Sequence, residues 1–210
     1  MFWPLVRGWP VVEPWILIPA KPFGAAKQRL APVLDAPSRA ALARALLTRT
    51  LRVARTAFPA SHCLVVSPTA EVAATVAAAG GELIITPEGG LNEQLAQAAA
   101  RVPVAAALLV LHADLPCLAV ADLAAMLASP GHMVLAPDRA DMGSNALLQR
   151  RVPRIFAFGP DSCHRHQEAA RAHGLTVTFV RRPGLARDLD TPEDWAALRG
   201  IIDAEMPPFL

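Results

Sequence analysis

Short apolar runs alternate with segments of helical period from residue 15 onward, and that alternation leaves few ways to build a sheet. Runs at 15–18, 62–67, 83–86, 105–111, 132–136, 154–158 and 175–180 read as strands. Helical periodicity fills 37–58, 70–79, 120–128 and 161–173, another helix follows Asn92 to about Arg101, and Arg39, Arg44, Arg49, Arg52 and Arg55 read as a solvated face of the first. Thr191, Pro192 and Asp194 have the order of a capping box opening a last helix. Repeated strand–helix units imply an α/β chain with a mostly parallel, Rossmann-like sheet and helices on both faces. Ligands in such sheets bind beyond the carboxyl ends of the strands.

The loop after the first run is the most informative of these ends. The chain breaks at Pro19-Ala20 into K-P-F-G-A-A-K-Q-R-L, with Gly24 among small residues and three cations, Lys21, Lys27 and Arg29. Small residues let backbone N–H groups approach a polyphosphate, and the cations offset its charge. Neither of the two commonest phosphate-loop patterns is present, and a solvated surface loop fits this stretch in isolation. Asp114 follows the run at 105–111 and precedes Pro116. A carboxylate there suits Mg²⁺ shared with a nucleotide, and Asp188 or Asp190 would supply a second, although each serves equally as a cap. Glu88, Gly89, Gly90 and Asn92 make a turn that would either form a base pocket or start a helix. Ser162 opens a helix whose backbone N–H groups would attract a phosphate or carboxylate, with Asp161 competing for the same dipole.

Composition narrows the class. With 210 residues the chain forms one domain, expected as 15–210, with 1–14 as an arm whose Trp3 and Trp9 are too apolar to float free and are compatible with a homodimer. A net charge of +2 without a basic run argues against nucleic acid as a partner. The longest apolar run, 102–111, is interrupted by Pro103 and falls short of the ~20 residues of a membrane helix, and the first residues do not read as a signal peptide. Three dispersed cysteines, with no C-x-x-C, suggest neither a disulfide framework nor structural zinc, so a reducing cytoplasm is expected.

Taken in order, P-A-K-P-F-G-A-A-K-Q-R-L, G-G-L-N, A-D-L-P, P-D-R-A-D-M-G-S-N-A-L, F-G-P-D-S-C-H-R-H and D-L-D-T-P-E-D resemble the CofC family, guanylyltransferases of coenzyme F-420 biosynthesis with a MobA-like nucleotidyltransferase fold. The resemblance spans residues 15 to 195. It implies transfer of GMP from GTP to the phosphate of a phosphorylated three-carbon acid (2-phospho-L-lactate, phosphoenolpyruvate or 3-phospho-D-glycerate) with release of pyrophosphate. Carried onto this chain, Lys21, Lys27, Arg29 and Asp114 are the catalytic set, and Mg²⁺ lies on Asp114 with Asp188 or Asp190. Pro19, Ala20, Lys21, Gly24, Lys27, Pro87, Glu88, Gly90 and Asn92 face the nucleotide, while Ser144, Asn145, Gly159 and Ser162 face the acceptor, in a pocket lined partly by Leu91 and Leu95. His112 departs from relatives that carry an acid two residues before the A-D-L-P aspartate. Molybdopterin or a sugar phosphate as acceptor, or nucleotide binding without catalysis, are the competing readings.

Overall fold

The chain is described here by a computed structural model covering residues 12–86 and 89–206. Its strands are β1 (Trp15–Pro19), β2 (Cys63–Ser67), β3 (Glu82–Ile85), β4 (Leu108–Leu111), β5 (Met133–Pro137), β6 (Ser144–Gln149) and β7 (Val177–Phe179). They form one sheet in the order β3-β2-β1-β4-β6-β5-β7. Among the described strands β6 alone runs antiparallel, against both β4 and β5. The helices are α1 (Ala36–Ala57), α2 (Ala73–Ala78), α3 (Leu91–Ala99), α4 (Val120–Ala128), α5 (Ser162–Ala172), α6 (Pro183–Ala186) and α7 (Pro192–Glu205).

Strand alternation sorts the core onto two faces. Ile16, Ile18, Val65, Leu109 and Leu111 pack with Leu47 and Leu51 of α1 and Leu123 of α4. Leu17, Leu64, Val66, Leu108 and Val110 face the other way, onto Leu95 of α3 and Ala170 of α5. Leu95, expected above to line the acceptor pocket, instead belongs to this core and is fully buried. A third cluster joins Leu30 and Leu34 to Leu42 and Leu46 of α1 and to Leu189, Leu198 and Ile202 near the C-terminus. This cluster matters for function because it clamps the cationic loop and the entry to α7 against the same helix. Truncating one of these leucines to alanine costs about 2–5 kcal/mol.

Two sequence expectations are corrected. Residues 154–158 form no strand, and 144–149, where the sequence marks no strand, form β6. The reason is where the polar groups go. Ser144, Asn145 and Gln149 are buried in β6, and tertiary partners make this tolerable: His166, the Leu185 carbonyl and the Ile155 N–H respectively. Conversely, the Ile155, Ala157 and Phe158 N–H groups donate to side chains of Gln149, His166 and Asn92, which removes them from any ladder. The arginines of α1 are not simply solvated either. Arg39, Arg49 and Arg55 donate to the carbonyls of Leu34, Leu118 and Gly80, tying neighbouring loops down.

Helix starts follow the sequence. Asp35 Oδ1 accepts from the Ser38 N–H at 2.8 Å ahead of α1, and Thr191 and Asp194 exchange hydrogen bonds ahead of α7. The arm's residues 1–11 lie outside the described residues, but Glu13 accepts from the Ala60 N–H at 2.7 Å. No helix of the described residues is long and apolar enough to cross a membrane.

Candidate active site

The cationic loop is pinned at both ends by its own apolar residues, Phe23 and Leu30, which are buried. Between them Lys27 adopts a left-handed backbone, φ +53°, a conformation that costs a non-glycine residue about 1–2 kcal/mol. The side chain turns inward, with only 9% of its surface exposed, and Nζ lies 2.8 Å from Asp114 Oδ2 and 2.9 Å from Asp190 Oδ1. Asp114 follows the end of β4, and its carbonyl accepts from the Leu189 N–H at 3.0 Å, which brings the chain entering α7 against that strand end. One ammonium thus joins three separate stretches of sequence.

The electrostatics of this cluster are unbalanced. Burial works against the charged ammonium of Lys27, but Asp114 and Asp190 more than offset it and hold its pKa above the ordinary lysine value. Burial likewise disfavours the Asp114 carboxylate, and Lys27 overrides it, so that pKa stands below the usual value. Asp188 has no such relief. Burial, then the charge of Asp114, push it up to about 6, with Asp190 adding to the effect. Three carboxylates stand at one site, and its buried cation pairs with only two of them.

That imbalance predicts a pH-dependent cost. Because the Asp188 pKa rises from 3.8 to about 6 on folding, the folded chain retains a proton that the unfolded chain has released, and stability falls as pH rises through that window. Asp188→Asn should therefore stabilise the ligand-free protein by roughly 2 kcal/mol at pH 8 and scarcely at pH 4. Urea midpoints at the two pH values measure this, and an equal effect at both would contradict it.

The carboxylates of this cluster could serve a magnesium ion that brings its other ligands with it. Among the described residues no three His, Cys, Asp or Glu side chains are grouped so as to enclose a metal on their own. Mg²⁺ does not require such a cage, since it takes one or two carboxylates and completes its shell with phosphate oxygens and water. Asp114 Oδ1 is buried without a hydrogen-bond partner, and Asp188 carries a charge that its surroundings suppress. Both are what a cation would relieve.

A cleft of about 900 Å³ opens over this cluster, at the edge of the sheet where the parallel strands end. Its lining brings together Pro19, Ala20, Lys21, Lys27, Arg29, Asp114, Asp188 and Asp190 with Ser144, Asn145, Gly159 and Ser162. Other expected residues stand elsewhere. Gly24 is outside the lining, its N–H directed at Glu71 Oε1, 3.3 Å away. The Gly90 N–H donates to Glu93 Oε2. Asn92 uses both polar atoms of its amide on the Phe158 backbone, donating at 3.0 Å and accepting at 2.8 Å. From that turn it is Gly89, with Leu91 and Gln94, that lines the cleft; Pro87 and Glu88 lie outside the described residues. The donors expected at the start of α5 are partly taken, the Ser162 N–H by the Gly159 carbonyl and the Cys163 N–H by that of Met142.

Sequence reasoning passed over two contributors. Asp138 accepts from the N–H groups of Ala140, Met142 and Gly143 and so shapes the loop before Ser144; its signal was an aspartate directly after Pro137 with Gly143 closing the loop, the chemistry of a turn. His166 is fully buried and contacts Ser144, with no signal beyond its helical position four residues after Ser162.

Comparison with known proteins follows the same lines. Residues 15–201 match the family described as Guanylyl transferase CofC like. The chain is 41% identical over 187 residues to a phosphoenolpyruvate guanylyltransferase of Roseiflexus sp. (strain RS-1), covering 86% of this chain and 83% of that protein. It is also 41% identical over 179 residues to a 3-phospho-D-glycerate guanylyltransferase of Phenylobacterium zucineum, covering 80% and 82%. Among solved structures it is similar in fold to a Desulfovibrio desulfuricans G20 protein provisionally assigned as a nucleotide-diphospho-sugar transferase, with TM-score 0.71, 19% identity, and 89% and 86% of the two chains covered. A nucleotidyl transferase from Methanothermobacter shares the fold at TM-score 0.60 and 13% identity, with 90% and 97% covered.

Proposed function

The chain belongs to the family of CofC-like guanylyl transferases, and from that footing we propose that its cleft moves GMP from GTP onto the phosphate of a phosphorylated three-carbon acid, with phosphoenolpyruvate as the first candidate, in coenzyme F-420 biosynthesis. The observation that carries this reading is the junction of Lys27 with Asp114 and Asp190 inside a cleft that also holds Lys21, Arg29 and Asp188. Such a site attracts a polyanion through its cations and a divalent cation through its carboxylates.

The reacting groups define what the protein must do. A phosphate monoester is largely dianionic at neutral pH, its second pKa being about 6, so it attacks without a general base. An oxygen of the acceptor phosphate forms a bond to the α-phosphorus of GTP, and the bond from that phosphorus to the bridging oxygen of pyrophosphate breaks, the pyrophosphate leaving with the electron pair. Two anions must therefore be held in line, which is a matter of position and charge. Lys21, Lys27 and Arg29 would hold the triphosphate, while the Ser144 and Ser162 side chains and the Gly159 backbone would hold the acid. Asp114 and Asp188, with Asp190 beside them, would hold Mg²⁺, which when bound neutralises phosphate charge. Lys27, which bonds Asp114 and Asp190 in the free protein, would face phosphate oxygen in the loaded site.

The direct test supplies GTP and Mg²⁺ with each of the three acids in turn and follows pyrophosphate. Phosphoenolpyruvate should give a kcat/KM about 10-fold or more above the other two, the range that small differences in substrate shape provide. Absence of pyrophosphate with every acid would exclude the reading and favour binding without catalysis.

A further inference from the structure

We propose that His166 is a positioning residue that aims the Ser144 hydroxyl proton into the cleft, at an anionic oxygen of the acceptor. The inference rests on the reading of Ser144 as an acceptor contact and adds to it the reason why that hydroxyl donates.

Two hydrogen bonds determine the imidazole. The Ala157 backbone N–H donates to His166 Nε2 at 3.0 Å, so Nε2 carries a lone pair and not a proton. In a neutral ring the proton is then on Nδ1. Nδ1 lies 3.1 Å from Ser144 Oγ, and the ring also bonds the Ser162 backbone one turn back in α5. Toward the serine oxygen this tautomer can only donate, so the Ser144 proton finds no acceptor on the ring. A serine hydroxyl has one proton and two lone pairs. With one lone pair engaged by His166, the proton has no partner in that direction and turns to the remaining side. Ser144 lines the cleft.

The ring has little freedom to do otherwise. His166 is fully buried, and the Phe158 ring packs edge-on against it, with centroids 4.7 Å apart and planes at 74°. Phe158 is in turn fixed by the Asn92 amide. Burial pushes the His166 pKa down to about 4, so the ring stays neutral near physiological pH and keeps its Nε2 lone pair. The same histidine thus sets Ser144 and fixes the segment that leads into Gly159.

Substitution separates the two ring nitrogens. A glutamine side chain reaches the Nε2 position and its carbonyl oxygen accepts from Ala157, but it offers nothing at Nδ1. An asparagine amide reaches the Nδ1 position and donates to Ser144, but leaves the Ala157 N–H without an acceptor. His166→Gln should therefore raise the KM for phosphoenolpyruvate about 5- to 10-fold, leave the KM for GTP unchanged and disturb Tm little. His166→Asn should hold the acceptor KM within about 2-fold of the parent while lowering Tm by about 4 °C. In a Ser144→Ala background His166→Gln should have no further effect on acceptor KM. If acceptor KM instead follows Tm, so that the asparagine variant is the worse binder, the role is structural and the inference is overturned. Nitrogen NMR of His166 with the proton on Nε2 would overturn it as well, whatever the activity. A parent protein inactive with every acid would be a different failure, removing the guanylyl-transfer reading and this inference with it.

Discussion

Asp114→Asn should lower the rate of guanylyl transfer by about 10³-fold or more while the protein remains folded. The scale is that of removing a charge placed where a reaction develops or transfers negative charge. The substitution keeps the size of the side chain but takes away a carboxylate that lies just beyond β4, bonds Lys27 at 2.8 Å and carries an unpartnered buried oxygen. Stability should suffer far less than activity, because Lys27 retains Asp190 at 2.9 Å. The expected loss is about 1 kcal/mol, a fall in Tm of about 2–4 °C. Pyrophosphate release at saturating Mg²⁺, with thermal unfolding alongside, reads both quantities. Activity within 10-fold of the parent would show that Asp114 is no more than a structural partner of Lys27.

Lys27→Met should be as damaging to turnover and more damaging to the free protein. Without the ammonium, Asp114, Asp188 and Asp190 face one another with no internal cation. Removing one member of a buried ion pair costs about 3–5 kcal/mol, reduced here to about 2 kcal/mol because the Asp190 side chain is 40% exposed. Magnesium should restore much of that stability, raising Tm in the variant by more than in the parent. This readout is independent of activity, and an equal Mg²⁺ response in both proteins would mean that Lys27 and the cation do not share these carboxylates. Lys27→Gly separates charge from backbone. Glycine suits φ +53°, so this variant should recover part of the lost stability yet stay about 10²-fold or more below the parent in turnover.

How much of this was legible in the sequence follows from which residues act through neighbours in the chain and which through distant ones. The loop after β1 announces itself because an apolar run ends in small residues and cations within a dozen positions. Asp114 is visible for the same reason, at the end of the most apolar run. Asp188 and Asp190 could be named as candidates, but only the contact of Leu189 with Asp114 brings them to the same strand end. The strand β6 was hidden because S-N-A-L-L-Q reads as polar until His166, Leu185 and Ile155 are placed beside it. The run at 154–158 misled in the opposite direction, being apolar enough for a strand while its N–H groups are taken by side chains. Asn92 shows the same limit: its spacing suits a ligand contact, and the fold uses it to hold Phe158. The left-handed turn at Lys27 has no marker at all, since lysine is not a residue that favours it.

Guanylyl transfer in this cleft requires Lys27 to exchange its carboxylate partners for phosphate when the nucleotide enters. A crystal structure with Mg²⁺ and the α,β-methylene analogue of GTP, which cannot release pyrophosphate, observes that exchange directly. Lys27 Nζ should then contact a phosphate oxygen, with Mg²⁺ on Asp114 in the place the ammonium has left. A triphosphate bound away from this cleft, with the bonds from Lys27 to Asp114 and Asp190 intact, would contradict it.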